Sequence, residues 1–213
     1  MKISWFAPFY RWVEYIAFGR ALEAARFALI NRVTGADRVL VIGEGDGRMI
    51  ERMLTIAPEA RFDIVEISAE MITLAKHRIG SRDNVHFHNG DARTSSLLAP
   101  TSDRFDVIVT LFVLDCFDEA ELGPLIRRLA AALTPDGTWL VSDFAIPESG
   151  WRRLHARFLL WTMYRFFGLV SGLRVRRLPP IGQSMTDAGM YLVDEQTHRL
   201  GSIRSSAYTH GNA

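Results

Sequence analysis

Short apolar runs that alternate with stretches of helical periodicity constrain the fold of this chain more than any other feature. The runs are RVLVIG (38–43), RFDIVEI (61–67), VHFHNG (85–90), FDVIVTLFVL (105–114) and TWLVSDFA (138–145). Helical patterns separate them, and those from Ala69 to Ile79 and from Glu119 to Leu133 are the clearest. This alternation is typical of a parallel sheet with right-handed crossovers. It predicts a ligand site at the carboxyl ends of the strands.

The remaining segments complete a single domain over residues 1–213. The runs MYLVDEQT (190–197) and IRSSAYT (203–209) predict a closing hairpin at the sheet edge. The expected fold is therefore α/β: a doubly wound, Rossmann-like, seven-stranded sheet, mostly parallel with an antiparallel C-terminal hairpin strand and with helices on both faces. Four segments are expected: a helical lid (1–34), a core (35–145), an aromatic and basic insertion (146–188) and the hairpin (189–213).

The first strand leads into a glycine-rich loop, GEGDGR (43–48). Glycines at this point allow a sharp turn and a close approach of a ligand to the backbone, and the next helix offers free N–H groups. A dinucleotide fingerprint would need a third glycine at Arg48 or Ile50. The spacing therefore disfavours hydride transfer.

Two acidic residues end the next strands in order. Glu66 follows the loop by about twenty residues, where a carboxylate can accept both hydroxyls of a ribose. Asp91, in Gly90-Asp91-Ala92, ends the third strand and could accept a hydrogen bond from an adenine amino group. Each acid alone is also typical of an ordinary strand end, but the ordered set favours an adenosine ligand.

With these segments in order, the sequence resembles the class I S-adenosylmethionine-dependent methyltransferases. The resemblance covers residues 35–145 and rests on VLVIGEGDGRM, VEISAEM, NGDAR, FDVIVTLFVLDCF and LTPDGTWLVSDF. PDGTWLVSDFAIP (135–147), followed by an aromatic insertion, is most similar to the small-molecule group that includes the ubiquinone and menaquinone C-methyltransferases. The resemblance implies S-adenosyl-L-methionine as cofactor.

The resemblance also implies which residues bind that cofactor. The glycines would lie beneath its methionine part, Glu66 would hold the ribose, and Tyr10 would cover the site. The full expected set is Tyr10, Gly43, Glu44, Gly45, Gly47, Glu66, Ile67, Met71, Asp91, Ala92, Thr110 and Leu111. One position departs from the family, because Val41 stands where an acidic residue usually helps to bind the methionine ammonium group. Glu44 or Asp46 is the expected substitute, and a fold that no longer binds cofactor stays an alternative.

Methyl transfer requires in-line positioning and exclusion of water, and a general base only where the acceptor loses a proton. Asp115, just past the fourth strand, is the first candidate base, and His155, in the insertion, is the second. A helix-capping role for Asp115 and a surface position for His155 are the alternatives. We expect no metal site, since His86 and His88 lack further ligands at suitable spacing. Cys116 is expected to be a small buried residue.

The insertion suggests the kind of acceptor. It holds no acidic residue between Glu148 and Asp187 but seven arginines among aromatic side chains: Arg152, Arg153, Arg157, Arg165, Arg174, Arg176 and Arg177. With the apolar end of the fourth strand, it predicts a small, apolar or lipid-like acceptor such as a quinol or phenol. The segment 151–178 could also contact a membrane surface peripherally or form a homodimer. A packed helix, a non-catalytic binding protein and an RNA methyltransferase are the alternatives.

Composition and charge limit which partners and which cellular compartment are expected for this chain. A formal net charge of +1 gives no general attraction to nucleic acid, and none is expected as a partner. The single cysteine excludes an intramolecular disulfide and fits a reducing compartment. The apolar run from Phe158 to Val170 is interrupted by Arg165 and is too short to span a bilayer. The expected location is the cytoplasm, with peripheral membrane contact as an option.

Overall fold

The computed structural model describes residues 20–99, 103–147, 149–170 and 177–211. One sheet contains seven strands: β1 (Arg38–Ile42), β2 (Arg61–Glu66), β3 (Val85–Asn89), β4 (Phe105–Leu111), β5 (Leu133–Phe144), β6 (Met190–His198) and β7 (Ile203–His210). Their order is β3-β2-β1-β4-β5-β7-β6. Only β7 runs against its neighbours, β5 and β6. The predicted Rossmann-like sheet with an antiparallel hairpin strand is confirmed.

The described residues include six α-helices, of which the first precedes β1 and the others lie between strands: α1 (Ala21–Phe27), α2 (Arg48–Ile56), α3 (Ala69–Ile79), α4 (Glu119–Ala132), α5 (Gly150–Val170) and α6 (Ile181–Asp187). Local sequence sets their ends. The Ser68 hydroxyl accepts the N–H of Met71 at the start of α3, and Gly80, at φ 69°, ends that helix. Asp118 caps the start of α4 in the same way. None of the described helices is long and apolar enough to cross a bilayer.

Strand β1 is buried on both faces, which explains its continuous apolar run. Val39 and Val41 pack with α2 in one core cluster. Leu40 and Ile42 pack in a second cluster that includes the apolar face of α4. A strand enclosed by helices on both sides has no solvent face and so shows no polar alternation. The loops after β1, β2 and β4 consequently meet at one edge of the sheet.

Two predicted boundaries are wrong for identifiable reasons. β4 ends at Leu111 rather than at residue 114, because Phe112 adopts a φ of 57° that no strand continues. β5 begins at Leu133 rather than at residue 138, so residues 134–137 lie within the strand. Leu133 pairs with Phe105, and the register shifts before Thr138 pairs with Val107, so the intervening residues form a bulge.

The aromatic insertion begins as a helix, as its composition suggests. Helix α5 packs through Leu160 onto a small cluster that also contains Leu22, Ala25 and Phe144. This cluster joins α1 and α5 to the carboxyl end of β5. Of the helical lid expected at residues 1–34, the described part comprises α1 and a 3-10 turn at Ile30–Val33. The rest, including Tyr10, lies outside the described residues.

Candidate active site

The glycine loop between β1 and α2 is shaped by two close contacts and one open position. Gly43, Gly45 and Gly47 all have positive φ, at 72°, 72° and 89°. A Cβ on Gly43 would lie 2.2 Å from Val113 Cγ2, and one on Gly47 would lie 2.7 Å from Ala75 Cα. A Cβ on Gly45 would have no other atom within 4 Å. The outer two glycines therefore serve internal packing, whereas Gly45 faces space that a ligand could use.

Glu66, the last residue of β2, is held in place by the loops on either side of it. Its Oε2 accepts the N–H of Gly45 at 3.1 Å, and its Oε1 accepts the N–H of Ser68 at 2.9 Å. The residue is only 7% exposed. Each carboxylate oxygen has a further lone pair, so Glu66 could also accept two hydroxyl groups of a ligand.

Apolar and polar groups flank Glu66 as an adenosine site would require. Ile67 is 70% exposed although it is apolar, and Met71 on the first turn of α3 is half-buried. Asp91 accepts the backbone N–H of Arg93 at 2.8 Å and pairs with the guanidinium of the same residue. That ion pair holds the pKa of Asp91 below its usual value. Ala92 is buried beside it.

The two acidic residues of the glycine loop have different surroundings. Asp46 pairs with Arg48 at 3.0 Å and with Arg78 at 3.3 Å. Glu44 is 3% exposed, and its Oε1 accepts the N–H groups of Met49 and Ile50 at 2.9 and 3.0 Å. Within the described part of the chain, Glu44 Oε2 is buried without a hydrogen-bond partner.

Burial raises the pKa of Glu44 to about 7, although the two N–H groups and the positive charge of Arg26 oppose this rise. An unsatisfied buried carboxylate oxygen is costly and calls for a donor. The residues present therefore fit the methionine part of an adenosyl cofactor, whose ammonium group would meet that need.

Thr110 and Leu111 end β4 at the same edge, but their side chains differ in role. The Thr110 hydroxyl accepts the indole N–H of Trp139 at 3.0 Å inside the core. Thr110 is fully buried, so its side chain serves the sheet interior. Leu111 is 8% exposed and precedes the turn at Phe112.

Asp115 is brought together with a second carboxyl group that the sequence did not single out. The backbone N–H of Asp115 donates to Asp143 Oδ2 at 3.2 Å, and the N–H of Phe144 donates to Asp143 Oδ1 at 2.9 Å. Asp115 and Asp143 are each 4% exposed, and their carboxyl groups are also hydrogen-bonded to each other. Burial and the neighbouring carboxylate raise the pKa of Asp143 well above its usual value.

The other candidate groups lie in different surroundings. His155 is exposed on α5, with its ring centroid 6.3 Å from that of Trp151. Cys116 is exposed rather than buried, contrary to expectation, and its Sγ lies 3.6 Å from Asp115 Oδ1. His88 Nε2 is hydrogen-bonded to Asp63 Oδ1 at 3.0 Å. Among the described residues, no group of three or more His, Cys, Asp or Glu side chains could hold a metal.

Comparison with known proteins agrees with this geometry. Residues 39–137 match the methyltransferase domain family. This match covers 99 of the 213 residues, so the core of this chain is similar to a methyltransferase domain. The malonyl-[acyl-carrier protein] O-methyltransferase of Halalkalibacterium halodurans is 31% identical over 122 residues, which are 57% of this chain and 44% of that enzyme. The polyamine aminopropyltransferase 2 of Bacillus cereus is 25% identical over 194 residues, or 85% of this chain and 50% of that protein.

The chain also has structural neighbours among solved methyltransferases. The N-methyltransferase NodS from Bradyrhizobium japonicum WM9, solved with S-adenosyl-L-homocysteine, has a TM-score of 0.66 and 17% identity. The match covers 90% of this chain and 88% of that one, and it shows the shared fold. This chain spans at most half the length of the two curated relatives above. Membership of the quinone C-methyltransferase group is not among these findings.

Proposed function

We propose that this protein transfers a methyl group from S-adenosyl-L-methionine to a small acceptor. The observation that carries the proposal is the Glu66 carboxylate, buried at the end of β2 and fixed by the Gly45 and Ser68 amides beside an open glycine position. The same carboxylate could hold the ribose hydroxyls, and the exposed Ile67 could pack against the adenine ring. The bound cofactor would supply a methyl group on a positively charged sulfur.

The Asp115–Asp143 pair supports a role in removing a proton from the acceptor. Two buried carboxyl groups in contact share one proton, because both cannot be ionised cheaply. Burial and the neighbouring carboxylate raise the pKa of Asp143, which favours a proton on Asp143. Asp115 is then the proposed base, with Asp143 as its positioning partner. During methyl transfer Asp115 would accept the proton that the acceptor atom loses. His155 stays the second candidate base.

The described half of α5 supports an apolar acceptor such as a quinol or phenol. Trp151, Leu154 and Phe158 are 62%, 70% and 67% exposed and lie on one side of the helix. Ala156 and Leu160 are buried and attach the helix next to Phe144, the neighbour of Asp143. Exposed apolar groups interspersed with arginines suit a lipid-like substrate or the interface of a membrane.

Calorimetric titration with S-adenosylmethionine, S-adenosylhomocysteine and NADH tests the cofactor. We expect binding of the first two at micromolar concentration and at least about tenfold weaker binding after Ile67→Asp, because a charge on the adenine face costs well over 1.4 kcal/mol. Ile67 is an exposed residue, so this variant should keep the fold. Glu66→Ala should abolish binding, and Glu51→Ala, at an exposed position on α2, is the matched control.

The outcomes separate the alternatives. Absence of binding to either adenosyl compound would overturn the proposal and favour a non-catalytic binding protein. Binding followed by methylation of quinol or phenol analogues would support an apolar acceptor. Salt-sensitive binding and methylation of tRNA, with no activity on small acceptors, would instead favour an RNA methyltransferase.

A further inference from the structure

Two oppositely charged side chains meet next to the glycine loop without forming a direct ion pair. Arg26 on α1 lowers the pKa of Glu44 through its charge, so the two groups are within electrostatic reach. Glu44 Oε1 is occupied by the N–H groups at the start of α2, and Glu44 Oε2 has no partner in the described structure. Arg26 and Glu44 are therefore close enough for their charges to interact, and Glu44 keeps one oxygen without a partner among the described residues.

The position of Arg26 is fixed by a neighbouring aromatic ring. Its guanidinium carbon lies 5.4 Å from the ring centroid of Phe112, a contact of the cation–π type. Phe112 has a φ of 57°, and the next residue, Val113, fills the space that a side chain at Gly43 would need. Arg26, Phe112 and the first glycine of the loop thus belong to one packed unit.

The usual acidic residue is missing from this end of the site. Val41 is apolar and 2% exposed, so it offers nothing to a charged ligand. Glu44 is the carboxylate of the loop that has an unsatisfied oxygen, because Asp46 is paired with Arg48 and Arg78. A buried acceptor of this kind is stabilised by a ligand that brings a charged donor.

We infer that Arg26 and Glu44 together hold the zwitterionic amino-acid end of the methyl donor. Glu44 Oε2 accepts from the α-ammonium group, and the Arg26 guanidinium donates to the α-carboxylate. The opposite charges of the two side chains match the opposite charges of that end. This inference rests on the proposed function, since it assigns residues of this chain to the same cofactor.

Binding of three thioether ligands distinguishes the two contacts. S-adenosylhomocysteine carries both charged groups, its decarboxylated analogue carries only the ammonium group, and 5′-methylthioadenosine carries neither. Arg26→Met should weaken S-adenosylhomocysteine about tenfold, because a charge-assisted hydrogen bond is lost. It should weaken the decarboxylated analogue less, and only through the effect of the Arg26 charge on Glu44, and it should leave methylthioadenosine unchanged. Glu44→Gln should weaken both ammonium-bearing ligands by a similar factor and leave methylthioadenosine unchanged.

Matched controls and the contrary outcomes make the test decisive. Arg32→Met removes an arginine that pairs with Asp194 at 2.8 Å, and Glu51→Gln changes an exposed acid of α2. Equal weakening of all three ligands in either Arg26→Met or Glu44→Gln would assign that residue a structural role and overturn the inference. No weakening would overturn it as well. Failure of the wild-type protein to bind any of the ligands would overturn both this inference and the proposed function.

Discussion

The amide of Gly45 and the carboxylate of Glu66 are joined by a hydrogen bond of 3.1 Å although 21 residues separate them. The bond connects the loop after β1 to the end of β2, and the second oxygen of Glu66 holds Ser68 at the start of α3. The carboxylate is therefore oriented by two loops before any ligand arrives. Preorganisation of this kind lowers the cost of binding.

Glu66→Gln tests how far this carboxylate stabilises the two loops. The amide side chain can accept only one of the two N–H groups and presents its own N–H₂ to the other. We expect a loss of about 1–3 kcal/mol in the free energy of unfolding, the cost of an unsatisfied buried donor. Urea denaturation measures it, and Glu59→Gln at an exposed position is the control. Equal stability of the Glu66→Gln variant and the wild type would show that the loops do not depend on the charge.

The glycine loop allows a comparison between two substitutions of the same type. Gly47→Ala places a Cβ 2.7 Å from the backbone of Ala75 at a φ of 89°, whereas Gly45→Ala meets no atom within 4 Å. The conformational cost of positive φ, about 1–2 kcal/mol, applies to both. We expect Gly47→Ala to destabilise the protein by at least about 2 kcal/mol more than Gly45→Ala, since a backbone contact cannot move aside. Thermal unfolding of both variants would show similar losses if the loop could shift away from α3.

The sequence predicts the bounds of elements that have strong local signals. It does not predict the end of a strand that is set by the φ angle of a single residue. The helical pattern from Ala69 to Ile79 predicts α3 at its observed bounds, and the structure shows Ser68 capping its start and Gly80 ending it. The end of β4 was missed because the apolar run continues through Phe112, and a phenylalanine side chain does not predict a φ of 57°.

The residues of the candidate site also differ in whether the sequence alone could identify them. Glu66 was identifiable from its place at a strand end, whereas Arg26 and Asp143 become visible only through contacts across the fold. Asp143 stood in the predicted strand 138–145, where its position at the strand's carboxyl end was the available signal. The exposure of Cys116 could not be predicted, since a residue that follows an apolar strand is as often buried as not.

Thr110 is expected to matter for stability because its hydroxyl accepts the buried indole N–H of Trp139. Thr110→Val keeps the shape of the side chain but leaves that N–H unsatisfied, which costs about 1–3 kcal/mol. Thr110→Ser keeps the acceptor and should cost less, so it is the control. Chemical denaturation followed by tryptophan fluorescence checks both. A larger loss in Thr110→Ser than in Thr110→Val would contradict the role of the hydrogen bond.

The reactivity of the single cysteine, Cys116, should depend on the charge of the neighbouring Asp115–Asp143 pair. Burial of the thiol and the two carboxyl groups raise the pKa of Cys116 well above its ordinary value, although the residue as a whole is exposed. The thiolate is the reactive form, so wild-type Cys116 should react slowly with iodoacetamide at mildly alkaline pH.

Removing one carboxylate should increase the rate at which Cys116 is alkylated. We expect Asp115→Asn to speed alkylation several-fold, since each unit of pKa changes the thiolate fraction about tenfold. Asp118→Asn, in the cap of α4, is the control. Because the chain has one cysteine, the reaction has one site. A wild-type rate equal to that of a free thiol would refute the electrostatic coupling.

Glu44 should make the ligand-free protein less stable as the pH rises. Its pKa is about 7 in the folded state against 4.5 as the ordinary value, so the folded protein binds the proton more tightly than the unfolded chain does. The corresponding stabilisation is fully present below the unfolded pKa and is lost as the pH rises through the folded pKa.

The variant Glu44→Gln keeps the oxygen that caps α2 and cannot ionise. Relative to wild type, the variant should therefore gain up to about 3 kcal/mol in unfolding free energy between about pH 5 and pH 8. Urea titrations across this range measure the difference, with Glu51→Gln as an exposed control that should show no such trend. A difference independent of pH would mean that Glu44 is already ionised in the folded protein.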